Sequence, residues 1–228
     1  MKDIPYAFAV ESLMYAQVCT RPDIAYVVGM LDIYQSNPSL DHWKATKKVM
    51  RYLQGTNDYK LTYIQSDHLK VIGYSDSDFA GCLDSKNSTL GYVFLLAGGA
   101  ISWRNAKQSL IATSTTEAEF VACFEVSSQI IWLKSFIPGL KIVDTIFKPL
   151  RIYCDNSAAV FLAKNNKSRS RSKHIDIKFL ALREHVKPNK VVLEHISTRL
   201  MIDDLFTKGL PPAVYKGHVE HMGLSSIK

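Results

Sequence analysis

Four short acidic motifs occur along the chain at positions where a strand is predicted to end or a helix to begin. They are YSDSD at 74–78, TEAEF at 116–120, YCDN at 153–156 and DDLF at 203–206. Carboxylates so far apart in sequence act together only if the fold gathers them. Converging carboxylate oxygens would form a site for two hard divalent cations, which commonly serve to hydrolyse a phosphodiester.

The predicted strands bring two of these acids together. Asp76 follows the apolar segment 71–75, and Asp155 follows the segment 151–154. Carboxylates at the ends of adjacent strands lie about 5 Å apart, so both could reach one metal ion. Glu119 lies one turn into a predicted long helix, and Asp204 lies near the start of the last helix. Clustered carboxylates repel one another without a counter-ion, so the pattern predicts bound Mg²⁺, with Mn²⁺ as an alternative.

Each motif also has a purely structural interpretation when it is taken alone. Asp76 and Asp78 could be turn residues, Asp155 could open an Asx-turn, and Glu117 and Asp203 could be helix-start acids. The presence of all four motifs in order favours a shared site.

Composition narrows the class of protein. The chain has 228 residues, a net charge of +7 and a pI of about 9.1, which favours a nucleic-acid partner. Its four cysteines are widely spaced without a C-x-x-C pair, which predicts reduced thiols in an intracellular protein. No stretch approaches about 18 uninterrupted apolar residues, so we expect no membrane partner.

The pattern of apolar residues changes near residue 55. Before it, helical periodicity predicts a three-helix unit, with Gly55 as a left-handed cap of the third helix. After it, strands are predicted at 60–64, 70–75, 91–96, 100–103, 150–154 and 190–196, and Ala97-Gly98-Gly99 marks a hairpin. Helices are predicted at 115–136, 157–164, 172–186 and from about 203. This order predicts an α/β fold with a mixed five-stranded sheet and helices on both faces.

Several motifs resemble the ribonuclease H domain of copia-type retrotransposon Pol polyproteins. They are GYSDSDFAG at 73–81, STLGY at 88–92, ISW at 101–103, STTEAE at 114–119, KHIDI at 173–177 and DLFTK at 204–208. LMY at 13–15, TRPDIA at 20–25 and RYLQGT at 51–56 resemble the end of the preceding reverse transcriptase. The resemblance divides the chain into a helical remnant at 1–66, a ribonuclease H-like domain at 67–212 and a tail at 213–228.

The resemblance implies a ribonuclease H-like fold and cleavage of the RNA strand of RNA–DNA hybrids during retrotransposon replication. It selects Asp76, Glu119, Asp155 and Asp204 as catalytic and metal-binding residues, because Glu119 begins Glu-x-x-Ala and Asp204 precedes Leu-Phe-Thr-Lys. Asp203 is a departure, since alanine is usual there. The rest of a Pol polyprotein is an implied partner, and the expected location is cytoplasmic, in a virus-like particle, or nuclear.

A basic stretch without acids predicts phosphate contacts whose strength falls with salt. Its cations are Lys164, Lys167, Arg169, Arg171 and Lys173. Asn156 is a candidate for sugar recognition. His174 could assist proton transfer or instead bond to Asp176 at a helix start.

Other functions fit parts of the pattern. A retroelement remnant could bind nucleic acid without cutting it. Incubating the protein with a labelled RNA–DNA hybrid, with and without Mg²⁺, would distinguish this binding module from a nuclease. An integrase-type recombinase shares the core fold, but no zinc-binding His/Cys set precedes the acidic motifs. A polymerase palm would need Asp203-Asp204 on a hairpin, whereas the flanking residues favour a helix.

Overall fold

The computed structural model describes residues 4–65, 69–81, 86–139, 149–164, 178, 181–182, 184 and 191–226. Its centre is a five-stranded sheet whose strands are β2 (Ile72–Asp78), β3 (Thr89–Leu96), β4 (Gly99–Lys107), β5 (Leu150–Cys154) and β6 (Val191–His195). The order across the sheet is β4-β3-β2-β5-β6. β2, β3 and β4 pair antiparallel, whereas β5 is parallel to both β2 and β6. This confirms the predicted mixed five-stranded sheet.

The β3–β4 connection is the predicted hairpin. Its two loop residues, Ala97 and Gly98, both have positive φ, at 54° and 76°. Such a two-residue loop matches the right-handed twist of the flanking strands. The turn sets the pairing of Leu95 with Ala100, and a one-residue register shift between Phe94 and Leu95 then places Gly91 opposite Asn105.

Helix α4 (Thr115–Gly139) packs on the sheet through a long buried row of side chains, including Phe120, Val126 and Ile130. Helix α5 (Ser157–Lys164) packs beside α4 and contributes Ala159, Val160 and Ala163 to the same core. By length and composition α4 could also cross a membrane, but half of its most apolar window is buried inside the protein. Burial of this face against the sheet explains its apolar character.

The first part of the chain forms the predicted helical unit, with α1 (Tyr6–Cys19), α2 (Ala25–Asp32) and α3 (Leu40–Gly55). Ser39 and His42 form a reciprocal capping box at the start of α3. The prediction for Gly55 was wrong: this glycine is the last residue of α3 and is not in the left-handed region, and Thr56 follows it at φ −128°. Because Thr56 bonds to Tyr52 and Arg21, it ends the helix by side-chain contacts instead.

A buried polar network holds this unit together. The Arg21 guanidinium makes two hydrogen bonds to the Asp23 carboxylate, at 3.0 and 2.7 Å. The Tyr52 hydroxyl donates to the same carboxylate at 2.7 Å. The Tyr215 hydroxyl donates to the Asp23 carbonyl at 3.1 Å, so the network reaches the other end of the chain.

The C-terminal region is folded against both parts. It contains α6 (Asp204–Thr207), α7 (Pro212–His221) and β7 (Leu224–Ser226). β7 pairs antiparallel with β1 (Tyr59–Leu61), so the strand predicted at 60–64 lies outside the five-stranded sheet. Met222 and Leu224 are fully buried in a cluster with Val93 of β3. The segment 213–228, predicted as a tail, therefore forms a helix and a strand over its described residues.

The helix predicted at 172–186 falls mostly outside the described residues. Those that are described, at 178, 181–182 and 184, are helical. Leu182 is fully buried in the main core, and the Lys178 ammonium lies 2.5 Å from Glu125 of α4. These contacts place this part of the chain on the same side of the sheet as α4.

Candidate metal centre

Two of the predicted acids lie side by side on the central strands. Tyr74 of β2 pairs with Tyr153 of β5 in parallel register. Asp76 lies two residues after Tyr74, and Asp155 lies two residues after Tyr153. Asp76 does not end its strand, because β2 continues to Asp78 and pairs with β3 along that length. The alternative that Asp76 and Asp78 are turn residues is therefore wrong. The parallel arrangement of β2 and β5 is what brings the two carboxylates together.

Glu119 reaches this edge from the start of α4. Its side chain is buried, its Oε1 accepts a hydrogen bond from the Ser77 backbone N–H at 3.3 Å, and its Oε2 lies 3.8 Å from Cys154 Sγ. Glu117 instead is part of an exposed cap, where its Oε2 accepts from the N–H and hydroxyl of Thr113. Glu119 therefore faces the other predicted acids, whereas Glu117, two residues before it, caps the start of the helix.

Asp204 lies on the one-turn helix α6, which packs on the opposite face of the sheet from α4. The Thr207 hydroxyl, at the end of the same turn, donates a hydrogen bond to Asp76 Oδ2. The Lys208 ammonium lies 2.7 Å from Asp204 Oδ1 and 3.7 Å from Asp76 Oδ2. The short segment 204–208 therefore supplies an acid, a hydroxyl and a cation to the same place.

The four predicted acids fall into two neighbouring pairs. Among the described residues, Glu119, Cys154 and Asp155 have ligand atoms that all lie within 4.8 Å of one another. Asp76 and Asp204 are not members of that group and are linked through Lys208. We call these the Glu119–Asp155 pair and the Asp76–Asp204 pair.

Burial and mutual repulsion disfavour negative charge at this edge. The pKa of Glu119 is raised to about 11. Desolvation is the largest cause, and the charges of neighbouring acidic groups, which include Asp76 and Asp155, add to it. Desolvation also raises the pKa of Asp204 to about 6, although Lys208 opposes the shift. The pKa of the fully buried Asp203 is raised well above its usual range, chiefly by burial and then by the charges of Asp76 and Asp204.

A divalent cation fits this donor set. Asp76, Glu119 and Asp204 are buried and Asp155 is half-buried. Both Asp203 oxygens and Ser75 Oγ have no hydrogen-bond partner among the described residues. Carboxylate oxygens are the ligands that Mg²⁺ and Mn²⁺ prefer. The Cys154 thiol is a poor ligand for such ions, since its contact with Cys123 and its burial raise its pKa and keep it protonated.

Most predicted substrate-binding residues are outside the described residues, namely Lys167, Arg169, Arg171, Lys173 and His174. Lys164 is exposed at the end of α5. Asn156 accepts a hydrogen bond from the Ala159 N–H at 2.9 Å, so its side-chain oxygen caps α5. Gln108 is buried and donates to Ser77 Oγ and the Ala118 carbonyl, which makes it a structural residue.

Sequence reasoning missed several neighbours of the site. His195 ends β6, and its Nε2 lies 3.0 Å from the Asp155 carbonyl oxygen. The Thr198 hydroxyl donates to Asp155 Oδ2 at 2.9 Å. No motif marked these two residues. Thr207 and Lys208 did carry a signal, because both belong to the DLFTK motif at 204–208.

Comparisons with known proteins identify related chains. No protein-family model matches the chain. The "Secreted RxLR effector protein 161" of Plasmopara viticola is 47% identical over 133 residues, which is 58% of this chain and 94% of that protein. Among solved structures, LC11-RNase H1 from compost (20% identity, 60% of this chain and 91% of that chain) has a TM-score of 0.43. RNase H1 of Halobacterium salinarum (14% identity, 59% and 90%) has a TM-score of 0.41. These scores are too low to add to the strand order and directions described above.

The matches that run through almost the whole chain are to transposon polyproteins. The "Retrovirus-related Pol polyprotein from transposon TNT 1-94" of Nicotiana tabacum is 41% identical over 226 residues, or 99% of this chain. The corresponding polyprotein from transposon RE2 of Arabidopsis thaliana is 36% identical over 222 residues, or 97% of this chain. The chain spans 17% and 15% of the length of these two relatives. It belongs to the family of retrovirus-related Pol polyproteins of copia-type transposons.

Proposed function

We propose that this protein hydrolyses the RNA strand of RNA–DNA hybrids endonucleolytically, with two divalent cations, as part of a retrotransposon's reverse transcription machinery. The observation that carries the proposal is that ligand atoms of Glu119 and Asp155 lie within 4.8 Å of each other, while Lys208 links Asp76 of the adjacent strand to Asp204. Buried acids with strongly raised pKa values are costly to the fold, which is typical of a functional site.

The chain's own residues would hold the cations and the substrate in place. Asp76 and Asp204 offer one pair of carboxylates, and Glu119 and Asp155 offer the other. Thr198 and His195 contact Asp155 and so fix its position. When bound, divalent cations supply charge that activates the attacking water and stabilises the departing oxygen. Mg²⁺ is the expected ion and Mn²⁺ the alternative.

The basic character of the chain supports a polyanionic substrate. The net charge is +7, and α5, which starts just after Asp155, carries exposed Lys164 at its far end. An eight-residue helix is about 12 Å long, so this cation could contact a phosphate near the one being cleaved. The segment 165–173 would add further phosphate contacts.

Cleavage of a labelled RNA–DNA hybrid by the full chain tests the proposal. We expect cleavage that requires Mg²⁺ or Mn²⁺, and a loss of at least about 100-fold in D76N and D155N because each removes a metal ligand. D41N is the matched control, since Asp41 is an exposed residue of α3 that pairs with Lys44. Full activity of D76N and D155N would contradict the proposal. Salt-sensitive hybrid binding without turnover by the folded wild-type protein would indicate the catalytically silent alternative.

A further inference from the structure

Lys208 has an unusual position for a lysine next to a cation site. Its ammonium lies 2.7 Å from Asp204 Oδ1 and 3.7 Å from Asp76 Oδ2, and the two carboxylates are nearly buried whereas the lysine side chain is 41% exposed. The chain leaves α6 at Lys208, where its N–H still bonds to the Asp204 carbonyl at 3.1 Å. The side chain therefore folds back over the short helix and spans the two acids.

The contacts of Asp76 show that this pair already has a counter-ion. Its Oδ2 accepts a hydrogen bond from Thr207 and also lies near Lys208. In the described part of the chain, Lys208 is the one basic side chain that forms an ion pair with any of the four predicted acids. The Glu119–Asp155 pair has no such cation there, so the two pairs differ in charge balance.

An ammonium clamped by two carboxylates occupies the oxygens that a divalent cation would need. We propose that Lys208 is a positioning residue that fills the Asp76–Asp204 pair as an internal counter-ion and competes with a divalent cation for it. Loading of this pair then requires the lysine side chain to swing outward, which its exposure permits. The Glu119–Asp155 pair is free to accept a cation first.

This inference rests on the proposed function, because it assumes that the acids bind divalent cations. It also gives Lys208 a role distinct from phosphate binding. A phosphate-binding lysine would affect substrate affinity and leave cation affinity unchanged, whereas a competing lysine affects cation affinity without any nucleic acid present.

Mn²⁺ titration of the full chain without nucleic acid, followed by the EPR signal of free Mn²⁺, tests the proposal. At constant pH and ionic strength, K208M should bind the weaker Mn²⁺ ion about tenfold more tightly than wild type, since the competing charge is gone. K208R keeps the charge and should stay within about twofold of wild type. K216M removes the same charge from an exposed position on α7 and should also match wild type.

The outcomes separate this inference from the proposed function. Unchanged or weaker Mn²⁺ binding in K208M overturns the role of Lys208 and leaves the hydrolase proposal standing. Absence of Mn²⁺ binding in both wild type and K208M overturns both. If K208M unfolds in metal-free buffer, Mn²⁺ should restore its fold by replacing the ammonium, and failure to do so overturns the inference.

Discussion

Gly91 lies opposite Asp76 in the antiparallel pairing of β2 with β3, and its lack of a side chain leaves the space that α6 occupies. A Cβ atom there would lie 2.7 Å from Phe206 Cβ and 2.8 Å from Thr207 Cγ2. These are distances at which something must move. The position of Asp204 and Thr207 over Asp76 therefore depends on a glycine in the neighbouring strand.

The variant G91A should displace α6 from the sheet. We expect a loss of about 1–3 kcal/mol in the free energy of unfolding and weaker Mn²⁺ binding, because Asp204 moves away from Asp76. G209A is the matched control, since a Cβ at Gly209 meets nothing within 4 Å. Denaturant unfolding and Mn²⁺ titration of both variants provide the measurements. Equal behaviour of G91A and G209A would show that α6 tolerates the shift.

The raised pKa of Glu119 predicts a pH-dependent stability for the metal-free protein. Its pKa is about 11 in the folded state, against an ordinary value of 4.5, so the folded state holds this proton more tightly than the unfolded state. Stability is therefore lost as pH rises from about 4.5 towards 11, by up to about 1.4 kcal/mol per pH unit. E119Q carries no titratable group here, so its unfolding free energy should fall less between pH 5 and 9. E117Q, changed at the exposed cap, should keep the wild-type slope. Parallel pH profiles of wild type and E119Q in chelator would contradict the prediction.

Asp203 is a buried acid whose replacement should stabilise the fold. It is fully buried, and neither carboxyl oxygen has a hydrogen-bond partner among the described residues. D203A removes this unsatisfied group and should raise the free energy of unfolding by about 1–3 kcal/mol in metal-free buffer. D203N keeps a buried polar group and should gain less. A less stable D203A would show that the carboxyl group has a partner that holds it in place.

The Arg21–Asp23 pair should be a strong contributor to the stability of the helical unit. R21M leaves the Asp23 carboxylate buried with the Tyr52 hydroxyl as its remaining side-chain donor in the described part of the chain, which should cost about 3–5 kcal/mol in unfolding free energy. K44M breaks the exposed Lys44–Asp41 pair and should change stability little, because water solvates both groups. Thermal and urea unfolding distinguish the two. Similar midpoints for R21M and K44M would mean that Asp23 finds another counter-charge.

Much of the sheet follows from local sequence signals. The predicted strands at 91–96 and 100–103 and the turn between them indicate a hairpin, and the segments before Asp76 and Asp155 predict two adjacent strands. Because the order of the strands limits where these acids can lie, the sequence was sufficient to predict that Asp76 and Asp155 lie close together. The assignment of Glu119 needed more, since only the resemblance separated it from Glu117.

What the sequence did not predict depends on long-range contacts. The pairing of β1 with β7 joins residues near 60 and 225, and neither strand has a strong pattern of its own. The burial of Asp203 results from how α6 packs on Gly91, which no local propensity encodes. His195 lies beside Asp155 only because β6 is parallel to β5.

The pairing of β1 with β7 has a consequence for handling the protein. Thr62 forms hydrogen bonds with Gly223, and the Ile64 N–H donates to the Ala97 carbonyl. The Trp103 indole N–H donates to the Gln17 carbonyl. Several independent contacts therefore connect the helical unit to the sheet. A protease that nicks the chain once after Gln65 should therefore yield two fragments that migrate together on a native gel and separate only in denaturant.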